Sequence, residues 1–165
     1  MSDFIATKRL IITKVNIKES LDILFDLDVK VAKATPTYLP LETKKKFLDF
    51  FTKEHDAEIL MCKEKNGTIA GFLALVSKLG EDSLEVLNIG IDPLYQHKGY
   101  GREMIEFAEK TALTSHTNHI TLVTNKKNIN AIGFFKHMGY SIIKEIPNYY
   151  GDGETRYLFG KTLSS

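Results

Sequence analysis

The chain has 165 residues, of which 43% are hydrophobic and 26% charged, with 22 basic side chains against 21 acidic ones. This length provides one compact domain with a sizeable core and leaves little room for a second, so we predict a single domain over residues 1–165. The near balance of charge gives no support for a nucleic-acid partner, which would need a basic face.

The first half of the chain predicts a strand, two helices and a hairpin. Residues 10–15 are short and β-branched, as expected of a first strand. Asn16 and Glu19 have the spacing of a capping box, and apolar residues then recur at helical spacing. Two prolines in the segment 35–41 interrupt that pattern before a second, phenylalanine-rich helix. Asn66-Gly67 lies between two strand-like runs and predicts a hairpin.

The second half predicts a strand over residues 84–91, followed by an amphipathic helix from about Gly99 to Ser115. The polar face of that helix, which we expect to be in water, comprises Glu103, Glu106, Glu109 and Lys110. A strand near 119–124, a helix over 130–137 stopped by Gly139, and two final strands complete the chain. The predicted order is β-α-α-β-β-β-α-β-α-β-β, which is an α/β (α+β) fold.

The only cysteine, Cys62, lies in a strand-like run, where we expect a small buried hydrophobe and not a nucleophile. One cysteine cannot form an internal disulfide, so a secreted scaffold is not expected. No early apolar run follows a basic stretch, and none is long enough to span a membrane. We therefore predict a cytoplasmic protein with no signal peptide and no membrane anchor.

A glycine-rich turn, Gln96-His97-Lys98-Gly99-Tyr100-Gly101, separates the strand at 84–91 from the following helix. Glycines at 99 and 101 allow unusual backbone angles and let a phosphate approach without meeting a Cβ. Amides in such a turn, at the positive end of a helix, form an anion site, although a tight turn without a ligand would use the same glycines. A Walker loop is excluded because Arg102 follows Gly101, and a dinucleotide fingerprint is excluded because Met104 replaces its third glycine.

Five stretches, in the right order, resemble the GNAT superfamily of acetyl-CoA-dependent N-acetyltransferases. They are Asn88–Pro93, Tyr95–Gly101, Asn128-x-x-Ala131, Phe134-Phe135-x-x-x-Gly139-Tyr140 and Asn148–Glu154. The resemblance covers roughly the second half of the chain, and the predicted element order agrees with the family. It implies an acyltransferase with a single GNAT-like domain, a central mixed but mostly antiparallel sheet flanked by helices, and acetyl-CoA as co-substrate. The motifs are most similar to those of protein N-terminal acetyltransferases of the ribosomal-protein-alanine type.

The resemblance also implies which residues hold the cofactor. Ile89, Gly90 and Ile91 would offer main-chain groups to the pantetheine arm. Main-chain amides would hold the pyrophosphate, with side chains secondary, in the turn formed by Gln96, His97, Lys98, Gly99, Tyr100, Gly101 and Arg102. Asn128 would fix the arm from the opposite strand end, and a helix N-cap is a compatible role for the same side chain.

Phe135 departs from the family pattern. Many members have a tyrosine there, which protonates the departing CoA thiolate. Phenylalanine keeps the ring at the cofactor but has no titratable proton. Either another tyrosine, such as Tyr149 or Tyr150, replaces it, or CoA leaves as a thiolate.

Glu85 is the predicted general base, because it is an acid in the otherwise apolar strand Leu84-Glu85-Val86-Leu87. Its position before Gln96 resembles that of the catalytic glutamate of GNAT histone acetyltransferases. A glutamate that merely begins the strand and faces water is the alternative. The histidines lack cysteine or acidic partners at ligand spacing, so we predict no metal.

We expect the acceptor wall to include Tyr38 in the segment 35–41, together with Tyr149 and Tyr150, whose loop resembles that of N-terminal acetyltransferases. Packing at a hairpin base is the alternative for the last two. The acceptor is then a primary amine, either a protein N-terminus or a small polyamine, amino acid or drug. A sensor that binds acetyl-CoA without turnover is a third hypothesis. We expect no membrane partner, and a homodimer is left open.

Overall fold

The computed structural model describes residues 4–35, 37–38, 41–77 and 81–164. These residues form two compact units, one made of residues 4–76 and 87–108 and the other of residues 77, 81–86 and 109–164. The two prolines of the segment 35–41, together with Leu39 and Gly80, lie outside the described residues.

The first unit contains four strands, two helices and the larger parts of two further elements. They are β1 Phe4–Ala6, β2 Leu10–Lys14, α1 Leu21–Ala34, α2 Lys44–Asp49, β3 Glu58–Glu64, β4 Ile69–Ser77, β5 Leu84–Ile91 and α3 Tyr100–Thr114. The strands neighbour one another in chain order, β1-β2-β3-β4-β5, and the pairings from β1 to β4 are antiparallel. A π-helical segment, Phe50–Glu54, continues α2, and a 3-10 turn, Pro93–Tyr95, follows β5.

The predicted hairpin joins β3 to β4. Gly67 has φ +91°, a left-handed conformation that glycine adopts without strain, and the side chain of Asn66 accepts the amide of Thr68 at 2.9 Å. The hairpin prediction is therefore confirmed. The two strands pair antiparallel, with Leu60 opposite Leu73 and an irregularity between Cys62 and Lys63.

The core of the first unit is aromatic. Phe47 of α2 is fully buried, and its ring contacts Phe25 of α1, Phe51 and Phe72 of β4 at centroid distances of 5.8, 4.8 and 6.3 Å. Burial of one such side chain contributes about 1.5–3 kcal/mol. Helices α1 and α2 are thereby fixed on β3 and β4, and Leu87 of β5 packs against the same cluster.

The second unit includes the last residue of β4, the first residues of β5, which pair in parallel with β6, and the end of α3. Its remaining elements are β6 His119–Asn125, α4 Ile129–His137, β7 Ser141–Ile146 and β8 Arg156–Thr162. Strand β8 lies between β6 and β7 and is antiparallel to both. Helix α4 ends before Gly139, which has φ +87°, as predicted.

The predicted element order and the mixed, mostly antiparallel sheet of eight strands are confirmed, with one addition and two corrections. The addition is the short strand β1. Helix α1 begins at Leu21 and not after Asn16, because the Asn16 side chain instead accepts the amide of Lys18 in a local turn. The second correction concerns Glu103, which is buried and not in water.

Cys62 is buried in β3 as predicted, and burial raises the pKa of its thiol to about 12. A thiol with this pKa is protonated and poorly reactive at neutral pH. Among the helices that the structure describes, none is long and apolar enough to cross a membrane.

Candidate active site

The glycine-rich turn begins where β5 ends. The Asp92 side chain accepts a hydrogen bond from the amide of Leu94 at 3.0 Å and so starts the 3-10 turn. The side chain of Gln96 donates a hydrogen bond to the carbonyl of Ile91 at 3.1 Å. His97 and Gly99 both have left-handed backbones, with φ of +61° and +82°. Left-handed residues near successive amides form a concave nest that binds anions.

Helix α3 follows directly and adds its N-terminus to the same turn. Its first hydrogen bond runs from the amide of Glu103 to the carbonyl of Gly99 at 3.3 Å. The amides of Tyr100, Gly101 and Arg102 precede that bond and have no acceptor within the helix. They carry the positive end of the helix dipole, so this turn fits a pyrophosphate. Gly101 lies within the helix, so the expectation that both glycines need unusual angles is correct only for Gly99.

Arg9, which the sequence pattern did not single out, lies against this turn. Its Nε donates to Glu103 Oε1 at 2.5 Å, and its Nη1 donates to the carbonyl of Lys98. Its guanidinium also occupies the space that a Cβ on Gly99 would need. The absent Cβ therefore makes room for Arg9, whereas the sequence suggested that it makes room for a phosphate.

Glu103 is the buried partner that holds Arg9 in place. Its carboxylate, 6% exposed, accepts hydrogen bonds from the Thr7 hydroxyl at 2.5 Å and from the Arg9 amide at 3.0 Å, besides the ion pair. Burial alone would raise the pKa of Glu103, but these hydrogen bonds and the Arg9 charge hold it below its usual value. Glu103 is thus ionised, and the positive charge of Arg9 compensates its buried negative charge.

Side chains of the turn are engaged in the same network. Tyr100 is buried, its hydroxyl donates to Glu64, and its ring lies 5.7 Å from the Arg9 guanidinium carbon. The Lys98 ammonium lies 4.6 Å from the centroid of the Tyr95 ring and 3.8 Å from Glu64. These side chains brace the turn, which leaves its amides as the groups suited to an anion.

We expect Arg9→Met to weaken CoA binding about tenfold, because the ionised Glu103 would remain beside the predicted anion site without its cation. Calorimetric titration with CoA gives the dissociation constant. Lys8→Met removes the same charge from the neighbouring exposed position and should leave binding unchanged. Adding Glu103→Gln to Arg9→Met should restore part of the affinity, and equal affinities for all variants would contradict this role for Arg9.

In the first unit, β5 carries the predicted pantetheine residues 89–91, of which Gly90 is buried. A Cβ on Gly90 would meet the Phe72 ring, so glycine is required there by packing. The preceding residue, Asn88, donates through Nδ2 to the hydroxyl of Tyr38 at 3.0 Å, and that hydroxyl donates to Asp28 Oδ1 at 2.5 Å. Tyr38 is thus linked to the predicted cofactor strand.

In the second unit, Glu85 is half-buried in β5 and lies opposite Thr121 of β6. The paired rings of Tyr149 and Tyr150 are perpendicular, with centroids 4.6 Å apart. Desolvation, the neighbouring Tyr149 and the charge of Glu85 raise the pKa of Tyr150 above its usual value. The charge of Glu85, the predicted base, therefore acts on Tyr150, and Tyr150 keeps its proton at neutral pH.

Arg156, also missed from the sequence, anchors the loop that carries these tyrosines. It is 7% exposed, and its two terminal nitrogens donate to the two carboxylate oxygens of Asp152 at 3.0 and 2.5 Å. Its guanidinium carbon lies 5.1 Å from the centroid of the Tyr150 ring. The hydrogen bond from Arg156 lowers the pKa of Asp152, so the pair is ionised. This bidentate pair ties the loop 148–154 to the first residue of β8.

Asn128 caps helix α4, since its side chain accepts the amide of Ala131 at 3.1 Å. The N-cap role is confirmed, and the cofactor role stays a prediction. Phe135 is 5% exposed and packs with Tyr140 and Phe159, both at centroid distances of 5.9 Å. The Tyr140 hydroxyl donates to Glu109 at 3.1 Å, and burial raises the pKa of Tyr140 well above its usual range.

The chain matches known proteins along most of its length. Residues 26–140 match the family model described as the acetyltransferase (GNAT) family. A curated relative, an N-alpha-acetyltransferase of Sulfurisphaera tokodaii, is 24% identical over 151 residues, which are 85% of this chain and 89% of that protein.

Two solved structures are similar over nearly the whole chain. The ribosomal-protein-S18-alanine N-acetyltransferase from Escherichia coli is 21% identical with a TM-score of 0.75, and the match covers 94% of this chain and 95% of that one. A spermidine N-acetyltransferase from Vibrio cholerae, solved with CoA and spermine, is 17% identical with a TM-score of 0.75, covering 94% and 96%. At these identities the likeness shows the fold, and the predicted fold is confirmed.

Proposed function

The chain belongs to the acetyltransferase (GNAT) family, whose co-substrate is acetyl-CoA, and from this premise we propose that it acetylates the α-amine of a protein N-terminus. The observation that supports a transferase most strongly is the turn 96–102, in which a left-handed nest meets the N-terminus of α3. The acceptor is supported by the N-alpha-acetyltransferase relative and by the anchored loop of Tyr149 and Tyr150.

The turn and β5 would each bind a different part of acetyl-CoA. When bound, acetyl-CoA supplies an activated acetyl thioester. Amides of residues 97–102 would hold the pyrophosphate, and main-chain groups of residues 89–91 would hold the pantetheine arm. Asn128 and the ring of Phe135 complete the proposed cofactor contacts. The amide groups carry no net charge, so the turn relies on their orientation and on the helix dipole.

Glu85 is the proposed base. An α-amine has a pKa of about 8, so most of it is protonated at neutral pH and must lose a proton before it attacks. Glu85 is half-buried in an apolar strand and its charge acts on Tyr150, which supports placing the acceptor amine between this carboxylate and the two tyrosines. Tyr150 is then the proposed donor to the departing sulfur, because its phenol carries a proton at neutral pH and Phe135 has none to give. Its raised pKa makes it a weaker acid than a free tyrosine, so the donation relies on position and not on acidity.

A small amine is the second candidate acceptor, since the fold neighbours include a spermidine N-acetyltransferase solved with spermine. Release of CoA thiol separates the hypotheses. The protein is mixed with acetyl-CoA and either short peptides of different N-terminal residue or a panel of polyamines and amino acids.

Faster turnover of peptides than of small amines is expected. Turnover of polyamines alone would overturn the N-terminal assignment. Acetyl-CoA binding without thiol release on either panel would leave the sensor hypothesis.

A single domain over 1–165 and a cytoplasmic location stay predictions.

A further inference from the structure

Asp28 is a carboxyl group at a position where helix α1 would be expected to bury an apolar side chain. It is 1% exposed, and the residues one turn away on either side, Leu24 and Ala32, are buried as well. Burial raises the pKa of Asp28 to about 6, although a hydrogen bond from Tyr38 acts in the opposite direction. A leucine would fill this site without the cost of burying a charge, so core packing does not explain the aspartate.

Among the residues that the structure describes, only one of the two carboxylate oxygens of Asp28 has a hydrogen-bond partner. Oδ1 accepts the Tyr38 hydroxyl at 2.5 Å. Oδ2 is buried, and within the part of the chain that the structure describes no donor reaches it. An ionised carboxylate can accept through both oxygens, and a buried polar atom without a partner is uncommon in a folded protein. Oδ2 therefore has the properties of a group whose donor comes from a ligand.

The surroundings of Asp28 suggest which ligand. Tyr38 belongs to the predicted acceptor wall, and its hydroxyl also accepts from Asn88 at 3.0 Å. Asn88 directly precedes residues 89–91, which are proposed to hold the pantetheine arm. Two hydrogen bonds thus connect Asp28 to the proposed acceptor wall and to the proposed cofactor strand, all within the first unit.

We propose that Oδ2 of Asp28 binds the protonated amino group of the acceptor, so that the site selects cationic primary amines over neutral acceptors. The inference rests on the proposed function and deepens it. An ammonium N–H donated to Oδ2 is a charge-assisted hydrogen bond and supplies the missing partner.

Binding should depend on pH in a defined direction. Tyr38 is the titratable group in contact with Asp28, Asn88 is the polar group behind it, and Lys30 of the same helix pairs instead with Asp92 at 3.3 Å. As the pH falls through about 6, Asp28 gains a proton and loses its charge, so affinity for the amine is present above that pH and lost below it. A bound cation should in turn lower the pKa of Asp28.

The test compares the wild type with Asp28→Asn, which retains an oxygen to accept from Tyr38. Asp22→Asn is the matched control, since Asp22 lies on the same helix, is 78% exposed and pairs with Lys44. The probes are a peptide with an N-terminal alanine and spermidine, titrated calorimetrically in the presence of CoA at neutral pH. We expect Asp28→Asn to weaken amine binding about tenfold or more, with CoA affinity and the control unchanged. NMR of the labelled Asp28 carboxyl in the wild type should show its pKa falling when the amine is added.

Equal amine affinity in the wild type and Asp28→Asn, or an Asp28 pKa that neither probe moves, would overturn the inference. The NMR measurement needs no variant, so it decides even if Asp28→Asn folds poorly. Thiol release distinguishes this result from failure of the proposed function. Amine binding at Asp28 without thiol release would refute the transferase alone, whereas thiol release with an unaltered KM in Asp28→Asn would refute only the role of Asp28.

Discussion

Glu85→Gln is expected to lower kcat/KM for the acceptor amine about a hundredfold or more at neutral pH, the usual effect of removing a general base. Glutamine has nearly the same shape as glutamate but cannot take a proton. The deficit should shrink as the pH approaches and passes the pKa of the amine, because the neutral amine then forms without help. Thiol release measured across that range gives both quantities.

The control for Glu85→Gln is Glu81→Gln, the same chemical change at an exposed position four residues earlier. Its pH profile should match that of the wild type. CoA affinity should be the same in all three proteins, since Glu85 is not among the proposed cofactor contacts. A Glu85→Gln rate close to that of the wild type at neutral pH would remove Glu85 from the mechanism.

Gly99→Val is expected to reduce CoA affinity about a hundredfold or more while the protein still folds. Gly99 has φ +82°, which a β-branched residue avoids, and its new side chain would displace the Arg9 guanidinium. Both effects reshape the nest whose amides would hold the pyrophosphate. Calorimetry with CoA gives the affinity, and circular dichroism on heating reports whether the variant is folded.

Gly67→Val separates backbone strain from the site. Gly67 has φ +91°, and a Cβ there would meet nothing within 4 Å, so this variant carries similar strain without a clash. It should lose stability and keep its affinity for CoA. A folded Gly99→Val protein that binds CoA as tightly as Gly67→Val would show that the pyrophosphate lies elsewhere.

Features that depend on local sequence were predictable. The hairpin at Asn66-Gly67 and the stop at Gly139 require left-handed glycines, and a short stretch of sequence shows where such residues are needed. The turn 96–102 was found for the same reason. Hydrophobic spacing was enough to give the strands and helices their order, apart from the three-residue strand β1, which is too short to show a period.

Features that depend on distant partners were missed. Glu103 looks like a solvent-facing residue from helical spacing, and only Arg9, 94 residues away, makes its burial possible. Asp28 looks like an interruption in an apolar face, and its meaning depends on Tyr38 and Asn88. Arg156 reads as an ordinary strand residue until Asp152 is seen beside it. Spacing rules describe one element at a time, whereas these side chains are stabilised by another element.

Because Cys62 is buried, the native chain should be unreactive toward thiol reagents. It is the sole cysteine, and with its pKa near 12 it offers almost no thiolate at neutral pH. A chromogenic disulfide added to a reaction mixture therefore registers CoA and not the protein, so product can be followed continuously without a background correction. The same dye, added without acetyl-CoA, becomes a one-site reporter of global opening, since β3 must leave the sheet before its sulfur can react.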